Sequence, residues 1–240
     1  MIKIENLSIK YKSTGKIVFE DVSFDVARGE IIVLLGPSGC GKTTLLNYLA
    51  SLLPENEIEV KGCVEIKNAE TGMSGIRMVF QDPTLLPWRK VPGNISLGIE
   101  DRESGKEEVS RKVSEAVKMV GLEGFEDYFP QKLSVGMRQR VNFARAIVCD
   151  PEILLLDEPF SALDVNRKKK LQKIFLEIIR DRKITSIFVT HSIEEALEIG
   201  DKIYVFFDGK KIKKGLYANK FKGMDKKELY LNAEDYLNAC

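Results

Sequence analysis

The chain has 240 residues and a net charge of +1, from 37 Lys+Arg against 36 Asp+Glu. That balance argues against a dedicated nucleic-acid binder, and 44% hydrophobic with 30% charged residues excludes a disordered chain. The length buries a full core without disulfide staples, no apolar run approaches the roughly 20 residues of a membrane helix, and four scattered cysteines with one histidine form neither a CxxC pair nor a zinc set, so a reducing cytoplasm is the expected setting.

In chain order, Ile2, Ile4, Leu7, Ile9 and Tyr11 alternate with polar residues, and so do Val18, Val22, Phe24 and Val26. Period two with one apolar face predicts half-buried antiparallel strands, and the first twenty residues read as strand rather than signal segment. Residues 31–35 form a continuous apolar run ending at Gly36, and the next stretch, 44–52, reads as a helix. From about 91 to 150 the spacing is helical: Val109, Val113, Val117 and Val120, then Val141, Ala144, Arg145 and Val148. Residues 100–108 are charged and read as a solvated loop running into a helix start. Two further apolar runs follow, 153–156 ending in Asp157 and 187–189 ending in Thr190-His191. Continuous apolar strands are buried on both faces, as in a parallel sheet covered by helices. The expected fold is therefore α/β, with an antiparallel N-terminal part and an inserted helical subdomain. Each apolar run ends in polar residues at its carboxyl end, where open α/β sheets bind ligands. Residues 202–227 carry nine lysines against Asp208 and Asp225, a solvated surface, with contact to lipid headgroups or an acidic partner as the alternative.

Gly36-Pro37-Ser38-Gly39-Cys40-Gly41-Lys42-Thr43 matches G-x-x-x-x-G-K-[ST], between a buried strand and a helix that continues at Thr44. Glycines let backbone N–H groups turn inward around phosphates, and the helix N-terminus adds its dipole. Lys42 supplies a point charge to the β- and γ-phosphates, and the Thr43 hydroxyl completes a Mg²⁺ shell. Cys40 reads as a small packing residue. Further along, Asp157 and Glu158 place two carboxylates at a strand end. Asp157 suits the Mg²⁺ shell, and Glu158 could polarise an attacking water. With Lys42 the pattern specifies nucleotide hydrolysis.

Leu133-Ser134-Val135-Gly136-Met137, followed by Arg138-Gln139-Arg140, opens a helix 21 residues before Asp157, counting from Gly136. Ser134 can cap that helix, and Gly136 permits close backbone approach to a ligand. This resembles the LSGGQ signature of ATP-binding-cassette (ABC) ATPases, and the other family motifs fall in order around it. Gln81 matches the Q-loop, Asp164 in Ser161-Ala162-Leu163-Asp164 the D-loop, His191 the switch histidine, and Tyr11 the aromatic that stacks on adenine. The resemblance covers about residues 1–215. It departs at Val135, where the family has glycine, and Met137 replaces the final glutamine.

The resemblance implies a P-loop NTPase (RecA-like) core and one ABC ATPase domain over about 1–219. Its α/β core spans about 1–90 and 151–219, its helical subdomain about 91–150, and residues 220–240 form a C-terminal helical extension. ATP and Mg²⁺ are the implied cofactors. Residues 36–44 and Tyr11 would bind ATP, with Thr43, Gln81 and Asp157 around the metal. Glu158 would be the general base, assisted by His191 and Gln81. Ser134, Gly136 and Asp164 would act across a head-to-tail dimer with a second copy. Leu85-Leu86-Pro87-Trp88, with a later valine and Asn94, resembles the nitrate, sulfonate and taurine importer ATPases. That implies a separate integral membrane permease docked near Leu85 and Trp88, a solute-binding protein acting indirectly, and a place on the inner face of the cell membrane. The competing reading is a soluble ABC ATPase uncoupled from transport, as in cofactor assembly. Repair members need a long coiled-coil insertion, translation members need two cassettes, and a small-molecule kinase explains neither signature nor D-loop.

Overall fold

The computed structural model describes residues 2–67, 75–99, 105–207 and 211–217. The proposed extension at 220–240 and half of the lysine-rich stretch 202–227 lie outside them. The chain divides into two compact units, one of residues 1–72 and 185–240, the other of residues 73–184.

The first unit contains two sheets. Strands β1 (Ile2–Tyr11), β2 (Ile17–Val26) and β4 (Ile58–Ile66) pair antiparallel in the order β2-β1-β4. The alternation seen in the sequence is real burial: Ile2, Ile4, Leu7 and Ile9 are all at most 1% exposed. The second sheet runs β7 (Thr185–Thr190), β3 (Ile31–Leu35), β8 (Lys202–Phe207) and β9 (Lys211–Tyr217). The first three are parallel and β9 closes the edge antiparallel. Every residue of β3 and β7 is buried, as continuous apolar strands require. Helices α1 (Lys42–Leu49) and α6 (Ile193–Ile199) follow β3 and β7. Phe19 meets Phe206 edge-on at 6.3 Å and Phe24 lies 5.0 Å from Tyr204, so β2 packs on β8 between the sheets.

Helix α1 stops three residues short of the sequence reading. Ser51 takes a left-handed φ of 56°, and the N–H groups of Leu52 and Ser51 return to the carbonyls of Asn47 and Tyr48. That is a Schellman closure with serine where glycine is usual, so composition gave no stop signal.

The second unit pairs β5 (Ile76–Val79) parallel with β6 (Ile153–Asp157) and adds α2 (Val91–Ser96), α3 (Lys106–Met119), α4 (Val135–Ile147) and α5 (Val165–Asp181). Helix α3 buries Val113, Ala116 and Val117, the stripe that its valine spacing predicts. Phe143 of α4 stacks on Phe175 of α5 at 3.6 Å, with Phe160 at 5.2 Å from Phe175. Aromatic stacking therefore fixes α4 to α5 and to the segment that follows β6.

Candidate active site

In the first unit, β3 leads directly into the glycine loop. Gly41 sits at φ 102°, and a Cβ there would lie 2.8 Å from a Val18 methyl. Only glycine accepts that backbone against β2. A Cβ on Gly36 would meet the Phe206 carbonyl at 2.6 Å, so the loop is seated on β8 as well. Lys42, 4% exposed, donates from Nζ to the carbonyls of Gly36 and Pro37, both at 2.8 Å, with Cys40 Sγ at 3.5 Å. Loop carbonyls thus hold the ammonium over the loop, where a phosphate would meet it. Cys40 is buried, while Pro37, Ser38, Gly39 and Thr43 are exposed and Thr44 is half-buried.

His191 is exposed and follows β7 directly. Leu35 and Thr190 are register partners in adjacent parallel strands. Gly36 and His191 therefore follow directly from adjacent strand ends at the carboxyl edge of the sheet. Tyr11, half-buried, ends β1, where its N–H and carbonyl join the turn through Lys16 and Gly15.

The second unit repeats this geometry. Val79 pairs with Leu156, so Phe80-Gln81 and Asp157-Glu158 leave their strands together. Asp157 is 6% exposed. Glu158 adopts a φ of 40°, uncommon for a residue with a Cβ. Gln81 Nε2 donates to Ser161 Oγ at 3.3 Å, and Ser161 Oγ donates to the Glu158 carbonyl at 3.0 Å. Ser134 is the N-cap of α4, accepting the Met137 N–H at 3.3 Å, as the sequence suggests. Val135 is half-buried at the first helical position. A Cβ on Gly136 would lie 3.5 Å from Leu163, so the start of α4 adjoins the Ser161–Asp164 turn. Asp164 caps α5 through the Arg167 N–H at 3.1 Å.

Sequence reasoning missed the residues that connect these parts. Gln139 Nε2 donates to the Gln81 carbonyl at 2.5 Å, Asn142 Nδ2 to the Phe80 carbonyl at 3.2 Å, and Arg145 to the Thr84 carbonyl and hydroxyl at 2.7 and 3.0 Å. Burial lowers the Arg145 guanidinium below its ordinary value, yet arginine keeps its charge at neutral pH. The spacing of Gln139, Asn142 and Arg145 at i, i+3 and i+6, which puts them on one face of the helix, was the available signal. The structure also places Trp88 70% exposed. Buried Asn94 holds its loop, with Nδ2 facing the carbonyls of Leu86, Arg89 and Lys90 and Oδ1 accepting the Leu86 N–H.

A family model described as ABC transporter matches residues 19–161. The chain belongs to the ABC transporter family. As an ATP-binding cassette it is an ATPase, and its fold is that of solved cassettes. It is 26% identical to cbiO1 from Clostridium perfringens, described as part of an ABC transporter complex, with a TM-score of 0.81 over 98% of this chain and 94% of that one. It is 29% identical to a dimeric ATP-binding cassette bound to ADP and Pi in a post-hydrolysis state, with a TM-score of 0.76 over 91% and 99%. The cassette is also 40% identical over 211 residues to a taurine import ATP-binding protein of Yersinia pestis, covering 87% of this chain and 80% of that one. It is 39% identical over 206 residues to the aliphatic sulfonates import ATP-binding protein of Bacillus subtilis, covering 85% and 78%.

Proposed function

We propose that this cassette is the ATP-hydrolysing subunit of a membrane importer and powers uptake of a small solute through a separate permease. The observation that carries this reading is the similarity to import ATP-binding proteins over 85–87% of the chain, together with the ordered motifs. Among the described residues no helix is long and apolar enough to cross a membrane; in this reading the pathway is a separate permease, which would hold the cassette at the inner face of the membrane. The names of the relatives point to a small sulfonate such as taurine, with nitrate as the comparison anion.

In this reading, residues 36–44 cradle the phosphates and Lys42 exchanges its carbonyl partners for phosphate oxygens. Tyr11 faces adenine. Glu158 accepts a proton from the attacking water, and His191 reaches the γ-phosphate. Thr43 and Asp157 offer a hydroxyl and a carboxylate, the hard oxygen donors that Mg²⁺ selects. Gln81 donates to Ser161 through nitrogen, which leaves its amide oxygen as the ligand end. When bound, Mg²⁺ draws charge from the β- and γ-phosphates. Ser134, Gly136 and Asp164 serve the nucleotide of a second copy in a head-to-tail dimer. The grip of α4 on residues 80–84 ties that signature end to Gln81, and exposed Trp88 with Leu85 receives the permease. A solute-binding protein would deliver cargo to that permease.

The test is Glu158→Gln in the purified cassette. It keeps ATP binding, lowers turnover by about 10²–10⁴ and accumulates an ATP-bound dimer on gel filtration. Parent-rate hydrolysis by a monomer would remove the general-base assignment. Reconstitution with the permease then separates cargo classes, since only a loaded binding protein raises the ATPase rate.

A further inference from the structure

Glu195 lies in the first turn of α6 and is 6% exposed. A carboxylate is seldom buried without a purpose, because desolvation opposes its charge. Its Oε2 accepts the hydroxyl proton of Thr190, which is 1% exposed at the end of β7. The same hydroxyl oxygen accepts the Ser192 N–H at 3.0 Å, and Ser192 Oγ accepts the Glu195 N–H at 3.3 Å. These bonds bracket His191 on both sides. Residue 190 is tied forward to α6, residue 192 is tied back to residue 190, and the exposed imidazole is carried between them.

The bracket has a firm base. Thr190 pairs with Leu35, the residue before the phosphate loop. Helix α6 packs on β3 and β7, with Ala196 and Ile199 fully buried. A capping serine alone would hold the helix start. It would not require a buried carboxylate reaching back to the strand. We propose that Glu195, acting through Thr190, is a positioning residue that sets the direction of His191 relative to the phosphate loop. This rests on the role assigned to His191 in the proposed function. The Glu195 carboxylate touches no reacting atom. It fixes the backbone from which the histidine projects, and small misplacements of an aligned group are costly in rate.

The experiment is steady-state ATPase kinetics on purified variants, with thermal unfolding measured beside them. Thr190→Val removes the hydroxyl at nearly constant shape, and Glu195→Ala removes its acceptor. Each is expected to lower kcat about ten- to a hundredfold while KM for ATP moves less than about twofold, since nucleotide binding is left in place. Thr190→Ser and Glu195→Gln keep a hydroxyl and an acceptor and restore most of the rate. The discriminating measurement is Thr190→Val in a His191→Ala background. It adds no further loss if the bracket acts only through the histidine. A folded Thr190→Val or Glu195→Ala cassette with parent kcat overturns the proposal. So does a second, additive loss in the His191→Ala background, which marks a structural role. If His191→Ala itself turns over at the parent rate, the histidine assignment fails and takes the proposal with it. If His191→Ala is inactive while Thr190→Val is normal, only the positioning role fails.

Discussion

Asn94 offers a sharp test of how the fold presents its exposed aromatic. Its side chain is fully buried. Oδ1 accepts the Leu86 N–H at 2.7 Å, and Nδ2 shares two protons among the carbonyls of Arg89, Leu86 and Lys90 at 2.8, 3.1 and 3.3 Å. A buried polar group left without its partner costs about 1–3 kcal/mol. Asn94→Ala strips the partner from one N–H and from two well-placed carbonyls. Pro87 and Trp88 are exposed, so water recovers part of the loss, and the expected net destabilisation is about 2–4 kcal/mol. Asn94→Asp is the more instructive change. It keeps the acceptor for Leu86 but turns carboxylate lone pairs toward carbonyl oxygens. At neutral pH its cost should equal or exceed that of alanine. Burial among acceptors raises such a carboxyl above its unfolded value of about 4, so the deficit narrows as pH falls and the protonated acid donates in place of the amide. Urea unfolding followed by far-ultraviolet circular dichroism gives the global figure. Trp88 is the one tryptophan of the chain, so its fluorescence anisotropy reads the loop itself and should fall in both variants. Stability within about 0.5 kcal/mol of the parent, with unchanged anisotropy, would refute the reasoning and place the loop's support in Arg89 and Arg145 instead.

Replacing Trp88 and Leu85 by alanine should leave the ATPase rate of the isolated cassette unchanged and abolish its stimulation by the permease. Equal loss of both rates would make these residues core. Lys202 Nζ lies 2.9 Å from Glu30 and 3.5 Å from Asp25. Burial by itself lowers its pKa, but the hydrogen bond and charge of Glu30 and the charge of Asp25 outweigh this and hold it above its ordinary value. That contribution is fully present below the unfolded pKa and disappears as pH rises through the raised one. Lys202→Met should therefore cost about 1–2 kcal/mol at neutral pH, and the gap to the parent in urea titrations should shrink only in strong alkali. Val135→Gly should change ATP-driven dimerisation by less than tenfold, about 1.4 kcal/mol, measured on a Glu158→Gln background. A much larger gain would show that the valine obstructs closure.

The sequence by itself determined the nucleotide chemistry. Phosphate binding needs glycines, a lysine and a hydroxyl at fixed spacing on one short loop, and that requirement is local enough to be written in eight consecutive residues. The buried strands were equally legible, because a strand covered on both faces must be apolar throughout, as residues 31–35 and 153–156 are. The Ser134 cap was legible because an N-cap reaches only three residues along its own helix. What lay beyond such local rules was decided by tertiary structure. The left-handed Ser51 ended α1 without a glycine to announce it. Glu158 took its positive φ from the turn that Ser161 closes. Nothing in the residues around Asn94 said that its amide would hold a loop four to eight positions earlier. Gln139, Asn142 and Arg145 became a clasp on residues 80–84 only when α4 packed against a segment about sixty positions away. Glu195 met its partner only when α6 turned it back onto Thr190. A side chain's partners across a fold depend on how helices and strands pack, and a single sequence records periodicity along each element rather than the register between elements.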